Sequence, residues 1–483
     1  MNRPKAINMT EGPLFAKILS FVLPTMFTNL LQVFYNAADM IVVNLSGEAD
    51  AVGAIGCSAP FVTLFVNIFI GFAVGANVVA ANYIGAENHS EVSKTVHTAI
   101  LISVIFGTAF GAIGIAGCRP ALAAMGNSGK LLDLSVTYVT VYFIGAPFIS
   151  LTNYIVAILR AKGDTVTPFF VMSGSGLLNV LLNLLFVLAF GMSVDGVALA
   201  TSVSNAVSAA VLLAHLSRLN DDCRFSLKNL RIDRSTFAKI IHIGFPAAVQ
   251  GALFSLSNII IQSSIIKVNN IVTPAGIDYQ PVVKGNAATS NLEGFVYTST
   301  NSVYQASVAF TGQNVGAEKY NRIAPVMRDC YFLTFLIAEI VTVTIILLRT
   351  PLLSLYGIAP GAAGSGEAIA FETAVTRMNY MLIPYSLLAF MEVGSGVLRG
   401  LGKSVTSTVV SLIGSCVLRI VWIYTVFAAN PTLESIYISY PISWGITAII
   451  HFVCCTAVRT RMIKFSAFKG KNSKPAHTVV LGS

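Results

Sequence analysis

The sequence predicts an all-α polytopic membrane protein with twelve transmembrane helices in two pseudo-symmetric six-helix bundles. Three observations lead to this prediction: the composition, a series of long apolar segments and an internal repeat. The chain has 483 residues, of which 55% are hydrophobic and only 11% are charged, whereas about 25% of a typical soluble domain is charged. Its mean hydropathy is +0.75. This composition excludes a soluble enzyme, a disordered chain and a disulfide scaffold.

Twelve segments are long and apolar enough to cross a bilayer, which takes about 20 residues of helix. They are residues 15–44, 53–83, 95–117, 132–158, 166–190, 194–217, 238–266, 286–314, 325–348, 371–397, 404–428 and 434–458. The chain is predicted to divide into an N-lobe at 1–217 (helices 1–6), a basic cytoplasmic linker at 218–237, a C-lobe at 238–465 (helices 7–12) and a polar cytoplasmic tail at 466–483.

The lysines and arginines indicate the orientation, because positively charged loops stay in the cytoplasm. With the N-terminus inside, most of the 30 lysines and arginines fall in cytoplasmic loops or in the tail. We therefore predict a multi-pass protein of the cell membrane with both termini cytoplasmic. The same distribution accounts for the net charge of +9 without a nucleic-acid partner.

Two short motifs occur once in each half of the chain. Residues 85–88 read Gly-Ala-Glu-Asn after the second span, and 316–319 read Gly-Ala-Glu-Lys after the eighth. Leu-Arg-x-x-Gly follows the fourth span at 159–163 and the tenth at 398–402. Such a duplication predicts two halves of the same orientation, as in transporters whose two lobes move about a central site.

Ionisable residues inside a membrane are costly and are therefore candidates for function. Asp39 lies one turn after Asn36, so the two share a face of the first helix. Asn179 and Asn183 share a face of the fifth span, and Thr201 lies in the sixth. These five are the predicted cation-coupling residues, because their oxygens suit a titrating carboxyl or a small hard cation such as Na⁺ at Asp39. The asparagine pair could instead bond two helices together.

The eighth span is the most polar of the twelve. Its polar side chains recur every three or four positions: Asn286, Ser290, Glu293, Tyr297, Asn301 and Gln305. A stripe this long is too polar to face lipid, so we predict that it lines a water-filled cavity. The predicted substrate-binding residues, which include the acid of the tenth span, are Glu293, Glu392, Gln250, Asn258, Ser290, Tyr297 and Asn301. Glu339 has no polar companion on its helix face and is read as structural.

Three features together are typical of one family of transporters: twelve spans in two halves, Pro24 followed by Asn-Ala-Ala-Asp at 36–39, and the duplicated Leu-Arg-x-x-Gly. In these the chain resembles the MATE (multidrug and toxic compound extrusion) transporters over about residues 12–465. Three segments look most like its MepA-type branch: Gly251–Ser264, Asn291–Asn301 and Leu382–Gly402.

The resemblance implies a V-shaped pair of bundles that exports organic cations in exchange for sodium ions or protons. It also implies that Pro24 bends helix 1, that Asp39 is the coupling carboxylate and that Asn179 and Thr201 are its neighbours. Many relatives carry a second carboxylate where this chain has Asn183. Because the site then holds one negative charge, we favour coupling to protons over coupling to sodium ions.

The prediction is a secondary-active multidrug efflux transporter that exports amphipathic organic cations by alternating access. Its expected partners are small organic cations and membrane lipid, and we expect a monomer without a cofactor. No Walker A, nucleophile-elbow or HExxH pattern occurs in the sequence, so an enzyme is not expected.

The alternative is a flippase for a lipid-linked cell-envelope precursor. A cavity for such a substrate would carry arginine and lysine to bind the pyrophosphate. Arg419 is interpreted as the one basic residue deep in a span, whereas acids predominate there. This balance of charge disfavours the flippase.

Overall fold

The computed structural model describes residues 6–472, apart from 49, 275, 276, 278 and 363. All regular secondary structure in these described residues is helical. The first part of the predicted polar tail, 466–472, continues the last helix. The remainder, 473–483, lies outside the described residues.

The first half of the chain forms seven helices, two of which share one span. They are α1 (Leu14–Asn44), α2 (Ala51–Gly85), α3 (His89–Ala124), α4 (Gly129–Ile144), α5 (Ala146–Lys162), α6 (Val166–Ala189) and α7 (Val194–Ser217). α4 and α5 meet at an angle of 50°, where Pro147 suits the first turn of α5 because the missing N–H would be unpaired there. The Asn88 side chain caps α3 by accepting a hydrogen bond from the Glu91 N–H.

The second half begins after the linker. Its helices are α8 (Arg234–Val272), α9 (Pro281–Gly316), α10 (Ile323–Leu347), α11 (Arg349–Ser354), α12 (Gly366–Leu382), α13 (Tyr385–Gly400), α14 (Ser404–Phe427), α15 (Leu433–Tyr437) and α16 (Ser439–Asn472). The carboxylate of Asp233 caps α8 by accepting from the Thr236 N–H. α12 and α13 meet at 45°, directly before Tyr385, where Pro384 lacks the N–H that a continuous helix needs.

Within the described residues, nine helices are long and apolar enough to cross a membrane. If the bent pairs α4–α5 and α12–α13 each count as one span, the number is eleven. The twelfth is α9, which is 36 residues long but is too polar to qualify by composition. Its polar side chains are those of the predicted stripe. The prediction of twelve spans, six in each half, is confirmed on this reading.

The helices extend past the predicted apolar segments at several ends. α5 continues to Lys162 and α13 to Gly400, although the apolar runs stop near 158 and 397. Hydropathy marks the part of a helix that crosses the lipid, whereas backbone hydrogen bonding continues into the polar region. Two arginines that the sequence places in loops, Arg160 and Arg399, therefore belong to helices.

The two lobes touch along α2 and α8, where small residues let the backbones approach. A Cβ atom on Gly71 would overlap the backbone of Ala248, and one on Gly75 would lie 2.9 Å from the Gly244 nitrogen. In each helix the two small residues are four positions apart, which is the spacing of closely packed membrane helices. The lobes are thereby joined through backbone rather than through large side chains.

The lobes also close on each other at the end that carries the basic loops, which we call the basic end. Gly85 at the end of α2 packs on Gln313, and Gly316 at the end of α9 packs on Asn82. In both pairs a Cβ atom on the glycine would overlap a backbone carbonyl. The Gln313 side chain also donates to the Ala161 carbonyl at 2.7 Å. These five residues form the basic-end seal.

The segment before α1 reinforces this closure. The Asn314 side chain donates to the Met9 carbonyl at 3.1 Å, and the Arg322 guanidinium donates to the Gly12 carbonyl at 3.0 Å. Both donors belong to the second half of the chain, whereas both acceptors precede α1. The N-terminal segment is thus bound to the opposite lobe.

α1 runs without a break through Pro24. Proline cannot donate the helical hydrogen bond at its own position, which weakens the helix there. Downstream, the Thr28 hydroxyl donates to the Pro24 carbonyl at 2.8 Å. The bend at Pro24 stays a prediction.

Candidate transport cavity

A cavity of about 520 Å³ lies between the lobes. α1 lines it from Thr28 to Asp39, α5 lines it from Ile149 to Arg160, and α9 contributes to the opposite wall. Eleven residues of helix rise about 16 Å, so the cavity extends through about half of a 30 Å hydrocarbon core. Among the described residues that line the cavity, Asp39 is the only acid and Arg160 the only base.

These two charges lie at opposite ends of the cavity. α1 and α5 cross the membrane in opposite directions, and Asp39 and Arg160 are each the last cavity-lining residue of their helix. α5 ends at the basic end, where the Gly163 carbonyl accepts a hydrogen bond from Ile7 at 3.2 Å. Arg160 therefore marks the basic end of the cavity, and Asp39 marks the other.

Asp39 is held by amide side chains from α6. The amide nitrogen of Asn183, which is fully buried, donates to Asp39 Oδ1. The amide of Asn179 is best satisfied with its nitrogen donating to the same oxygen at 2.8 Å and its oxygen accepting from the Thr201 hydroxyl at 3.3 Å. The structure thus brings four of the five predicted coupling residues together. The fifth, Asn36, lines the same cavity but makes no hydrogen bond to Asp39 in the described structure.

The carboxyl of Asp39 has no cationic partner within the described residues. It is half-buried and accepts from two neutral amides. Such a carboxyl can bind a proton, or it can attract a cation that enters the cavity, because burial disfavours a lone charge. No group of three His, Cys, Asp or Glu side chains that could hold a metal occurs in the described residues.

The wall on α9 holds the second half of the predicted stripe. Tyr297, Asn301 and Gln305 line the cavity, and the Gln305 amide donates to Asn301 at 2.8 Å. Ser290 and Asn258 are exposed but are not among the described residues that line the cavity.

The first half of the stripe is directed elsewhere, which corrects the prediction of one continuous cavity-lining face. Each step of four residues overshoots a full helical turn by about 40°, so later members of the stripe rotate away from earlier ones. Asn286 and Glu293 are buried, with exposed fractions of 3% and 7%, and neither lines the cavity.

Glu293 is paired inside the C-lobe. Arg377 of α12 donates through Nε and Nη2 to the two carboxylate oxygens of Glu293, both at 2.7 Å. The same guanidinium donates to Asn286, which also accepts from the Tyr437 hydroxyl at 3.0 Å. The structure therefore places Glu293 in a neutralised ion pair rather than in the cavity as a free anion.

Gln250 and Glu392 also lie outside the described cavity lining. Gln250 is buried and accepts a hydrogen bond from Arg399 at 3.0 Å, while the other terminal nitrogen of Arg399 donates to the Tyr304 hydroxyl. Glu392 is half-buried and is within electrostatic range of Arg399. Gln250 therefore belongs to a cluster centred on Arg399 that includes Tyr304, and Glu392 is near this cluster without an ion pair among the described residues.

The sequence did not predict that three arginines are buried or line the cavity, because it places only Arg419 deep in a span. Arg377 and Arg399 are buried, with exposed fractions of 7% each, and Arg160 lines the cavity. Arg419 itself donates to Ser443 at 2.8 Å and stacks over an aromatic ring. The duplicated Leu-Arg-x-x-Gly motif contains Arg160 and Arg399 and was the signal by which these two could have been found.

A family comparison agrees with this architecture. The MatE family model matches residues 24–185 and 246–425, which together are more than half of the chain and fall one in each lobe. The chain belongs to the MatE family. The resemblance predicted from the sequence is thereby confirmed, and this MatE protein is a multi-pass membrane transporter by family.

Two curated bacterial proteins are similar to this MatE chain. Probable multidrug resistance protein YoeA of Bacillus subtilis is 25% identical over 399 residues, which cover 81% of this chain and 82% of YoeA. Multidrug export protein MepA of Staphylococcus aureus is 26% identical over 277 residues, which cover 56% of this chain and 60% of MepA. The second match thus spans less than two thirds of MepA.

Solved structures of MATE transporters share the fold of this MatE chain. An outward-facing multidrug resistance MATE family transporter of the MOP superfamily superimposes with a TM-score of 0.84 at 20% identity, covering 96% of this chain and all of the other. A MOP superfamily transporter from Pyrococcus furiosus gives 0.85 at 20% identity, covering 96% and 99%. At these identities the likeness establishes the fold alone, and it confirms the predicted V-shaped pair of six-helix bundles.

Proposed function

We propose that this MatE transporter exports amphipathic organic cations in exchange for protons, by alternating access to the cavity. Relatives named as multidrug resistance and multidrug export proteins support substrates of this class. The observation that carries the proposal is Asp39, an unpaired carboxyl in a cavity otherwise lined largely by amide, hydroxyl, aromatic and aliphatic groups. The end of the cavity at Asp39 attracts a cation by charge, while its apolar walls accept molecules of varied shape.

In this mechanism Asp39 binds either a proton or the substrate cation. A lone carboxylate inside the membrane is unfavourable. A proton or a drug cation is therefore bound to Asp39 each time the cavity changes from one open side to the other. When the cavity is open to the outside, a proton displaces the drug. When the cavity is open to the cytoplasm, the proton leaves and the next drug molecule binds.

A proton is favoured over a sodium ion because of how the amides face Asp39. With the Asn179 amide in the orientation that satisfies its hydrogen bonds, the nitrogens of Asn179 and Asn183 both face Oδ1 of Asp39, whereas Na⁺ is bound by oxygen atoms. Sodium binding would require both amides to turn round and would find one negative charge. A proton requires the carboxyl alone.

We assign the basic end to the cytoplasmic side of the cell membrane, and both termini to the same side. We propose that the protein is a monomer surrounded by lipid. Lys162 and Lys319 lie beside the basic-end seal, and an excess of such residues is typical of cytoplasmic loops. The seal then closes the cavity toward the cytoplasm, which corresponds to the stage at which drug is released outside.

The test uses the purified full chain in proteoliposomes loaded with a fluorescent organic cation. We expect an imposed pH gradient to drive transport and a sodium gradient with a protonophore present to drive none. Asp39→Asn should be inactive under both gradients. Robust transport driven by sodium in the presence of the protonophore would contradict proton coupling, and absence of transport under either gradient would contradict the export of organic cations.

A flippase for a lipid-linked precursor is a second candidate, and Arg160 in the cavity favours it. A pyrophosphate carries more negative charge than one guanidinium offsets. The other buried arginines already bind protein groups: Glu293, Tyr304, Gln250 and Ser443. We therefore expect a fluorescent polyprenyl pyrophosphate to remain in its original leaflet of the proteoliposome; its translocation would establish the flippase instead.

A further inference from the structure

The linker between α7 and α8 is held firmly against the N-lobe. Phe225 is buried in the core, and its ring stacks on His97 of α3 with the ring centroids 5.6 Å apart. The backbone N–H of Ser226 donates to Nε2 of His97 at 3.0 Å. Further along the linker, the N–H of Asp233 donates to the Thr98 hydroxyl at 3.0 Å. The linker is therefore a fixed part of the N-lobe surface.

The residues around these attachments are exposed. Leu227 begins a single 3₁₀ turn (Leu227–Asn229) and is 76% exposed, and Ile232 is 42% exposed. Four cations are exposed beside these two side chains: Arg224, Lys228, Arg231 and Arg234. None of the four belongs to an ion pair within the described residues. We call these six residues the linker platform.

The acidic side chains of the linker are engaged elsewhere. Asp221 pairs with Lys162, and Asp222 pairs with His89. Asp233 caps the N-terminus of α8 and is within electrostatic range of one platform cation. The platform therefore keeps most of its positive charge.

The platform lies at the edge of the lipid-facing surface. Phe245 of α8 is 56% exposed within a membrane span and is not among the described residues that line the cavity, so it faces lipid. Arg234 precedes Phe245 by three helical turns, so the two share a face of α8 and lie about 16 Å apart along it. Since that face begins at the basic end, Arg234 is placed near the headgroups of the lipids that Phe245 contacts.

We propose that the linker platform binds acidic phospholipids of the adjoining leaflet, with its cations on the phosphates and with Leu227 and Ile232 inserted among the lipids. Lysine and arginine clusters next to a membrane span attract anionic lipids, and guanidinium groups bind phosphate through paired hydrogen bonds. Aliphatic side chains beside the cations suit a membrane surface. A single-stranded nucleic acid is instead bound on aromatic side chains, none of which belongs to the platform.

This binding does not depend on which compound the cavity transports. Because the linker is fixed to the N-lobe, lipids bound to the platform hold that lobe at the membrane surface. The platform has no counterpart in the repeat, since the linker occurs once, between the two halves. The lipid contact is therefore a property of the N-lobe side of the transporter.

The test uses the full chain in nanodiscs of phosphatidylcholine with an increasing share of phosphatidylglycerol. An environment-sensitive dye is attached to a cysteine at Asn229, which is exposed in the turn of the platform, in a background without the seven native cysteines. We expect the dye emission to shift to shorter wavelength as phosphatidylglycerol is added. Lys228→Gln/Arg231→Gln/Arg234→Gln should reduce this shift about fivefold, because each cation near the surface adds to the attraction.

Lys403→Gln/Arg461→Gln/Lys464→Gln is the matched control, because it removes three exposed cations from the C-lobe at the basic end. It should leave the dye shift unchanged. Unchanged melting temperatures establish that the variants are folded. Native mass spectrometry of protein that keeps its cysteines gives a second measurement, in which the platform variant should retain fewer phosphatidylglycerol molecules than wild type and the control variant should retain as many.

Four results would overturn the proposal. An equal shift in wild type and in the platform variant would show that these cations do not bind the lipid. An equal reduction in the control variant would assign the effect to net charge alone. A shift of the same size with soluble glycerol phosphate in phosphatidylcholine nanodiscs would assign the platform to a free phosphate compound. A shift caused by an RNA oligonucleotide and not by phosphatidylglycerol would assign it to nucleic acid.

Discussion

Glu87 and Glu318 share the same left-handed backbone conformation, with φ angles of 52° and 55°. They hold the same position in the repeated Gly-Ala-Glu motif and are the only non-glycine residues of the described chain with a positive φ. The next N–H bonds back to Tyr83 at 3.0 Å in the first copy and to Asn314 at 2.9 Å in the second, as in a Schellman helix end. The duplication therefore extends to the geometry of the turns that follow α2 and α9.

Gly85→Ala should open the basic-end seal. The added methyl would overlap the Gln313 carbonyl, and overpacking of this kind costs about 1–3 kcal/mol. We expect a cysteine at Ala157, which lines the cavity near its basic end, to react faster with an impermeant thiol reagent applied from that end. Gly56→Ala is the control, because a Cβ there meets nothing within 4 Å. An unchanged labelling rate in Gly85→Ala would refute the seal.

Asp39→Asn should abolish proton-coupled export while the protein still inserts and folds. The change removes a charge from a partly buried site, so thermal stability should stay the same or rise. Drug resistance of cells and melting of the purified variant are the two measurements. Asp133→Asn, on the exposed surface and paired with Arg119, should leave export unchanged. Normal resistance at normal expression of the Asp39 variant would exclude a coupling role.

Glu293→Gln and Arg377→Gln should each destabilise the C-lobe. Their side chains are each 9% exposed, and removing one partner of such a buried pair costs about 3–5 kcal/mol. The double variant Glu293→Leu/Arg377→Met should melt at a higher temperature than either single variant, because no buried charge is left unpaired. If Glu293→Gln melts like wild type and changes drug selectivity alone, Glu293 is a substrate ligand after all.

Cysteines at Tyr297 and Asn301 should react with a water-soluble thiol reagent, since both positions line the cavity. Bound substrate should slow the reaction. A cysteine at Val296, which is fully buried, should stay unreactive. The background variant lacks the seven native cysteines. Equal labelling at all three positions would show that α9 is oriented differently.

Asp233→Ala should lower thermal stability at neutral pH more than at acid pH. The backbone N–H and hydroxyl of Thr236 donate to the Asp233 carboxylate and hold its pKa below the usual value. A lowered folded-state pKa contributes stability above the unfolded-state pKa, and this contribution is lost as the pH falls through the folded-state pKa. Asp50→Ala is the control, because Asp50 precedes α2 without a capping bond. A pH-independent loss of stability would rule out the charged cap.

The parts of the fold that depend on local pattern were predictable from the sequence. Long apolar runs indicate membrane spans, because each span must cross the lipid by itself. Asp39 was identifiable by its depth in a span, and Asn179 and Asn183 by their spacing of one helical turn. Helix ends were not predictable in this way. Arg160 and Arg399 continue helices beyond their apolar runs, so hydropathy assigned them to loops.

The pairing of Glu293 was not predictable either, for a different reason. Its partner Arg377 lies on another helix, and a single sequence shows no sign that the two side chains meet. Polar spacing along α9 also suggested one face, whereas the accumulated rotation divides the stripe between the cavity and the C-lobe interior. Contacts between distant segments and the gradual rotation of a side-chain stripe around its helix depend on how the helices pack, so the sequence alone does not show them.

In the repeat, Gly85 is equivalent to Gly316 and Asn82 to Gln313. The two glycine contacts of the basic-end seal, Gly85 with Gln313 and Gly316 with Asn82, are therefore equivalent to each other. That reciprocity is the mark of an isologous interface, the kind that joins identical subunits across a two-fold axis. A half-length ancestor could therefore have formed the same closure by dimerising with itself. In the single chain this interface is kept while the halves differ elsewhere: Asp39 lies on α1 of the first half, and the motif arginine of α13 is bound by Gln250 and Tyr304.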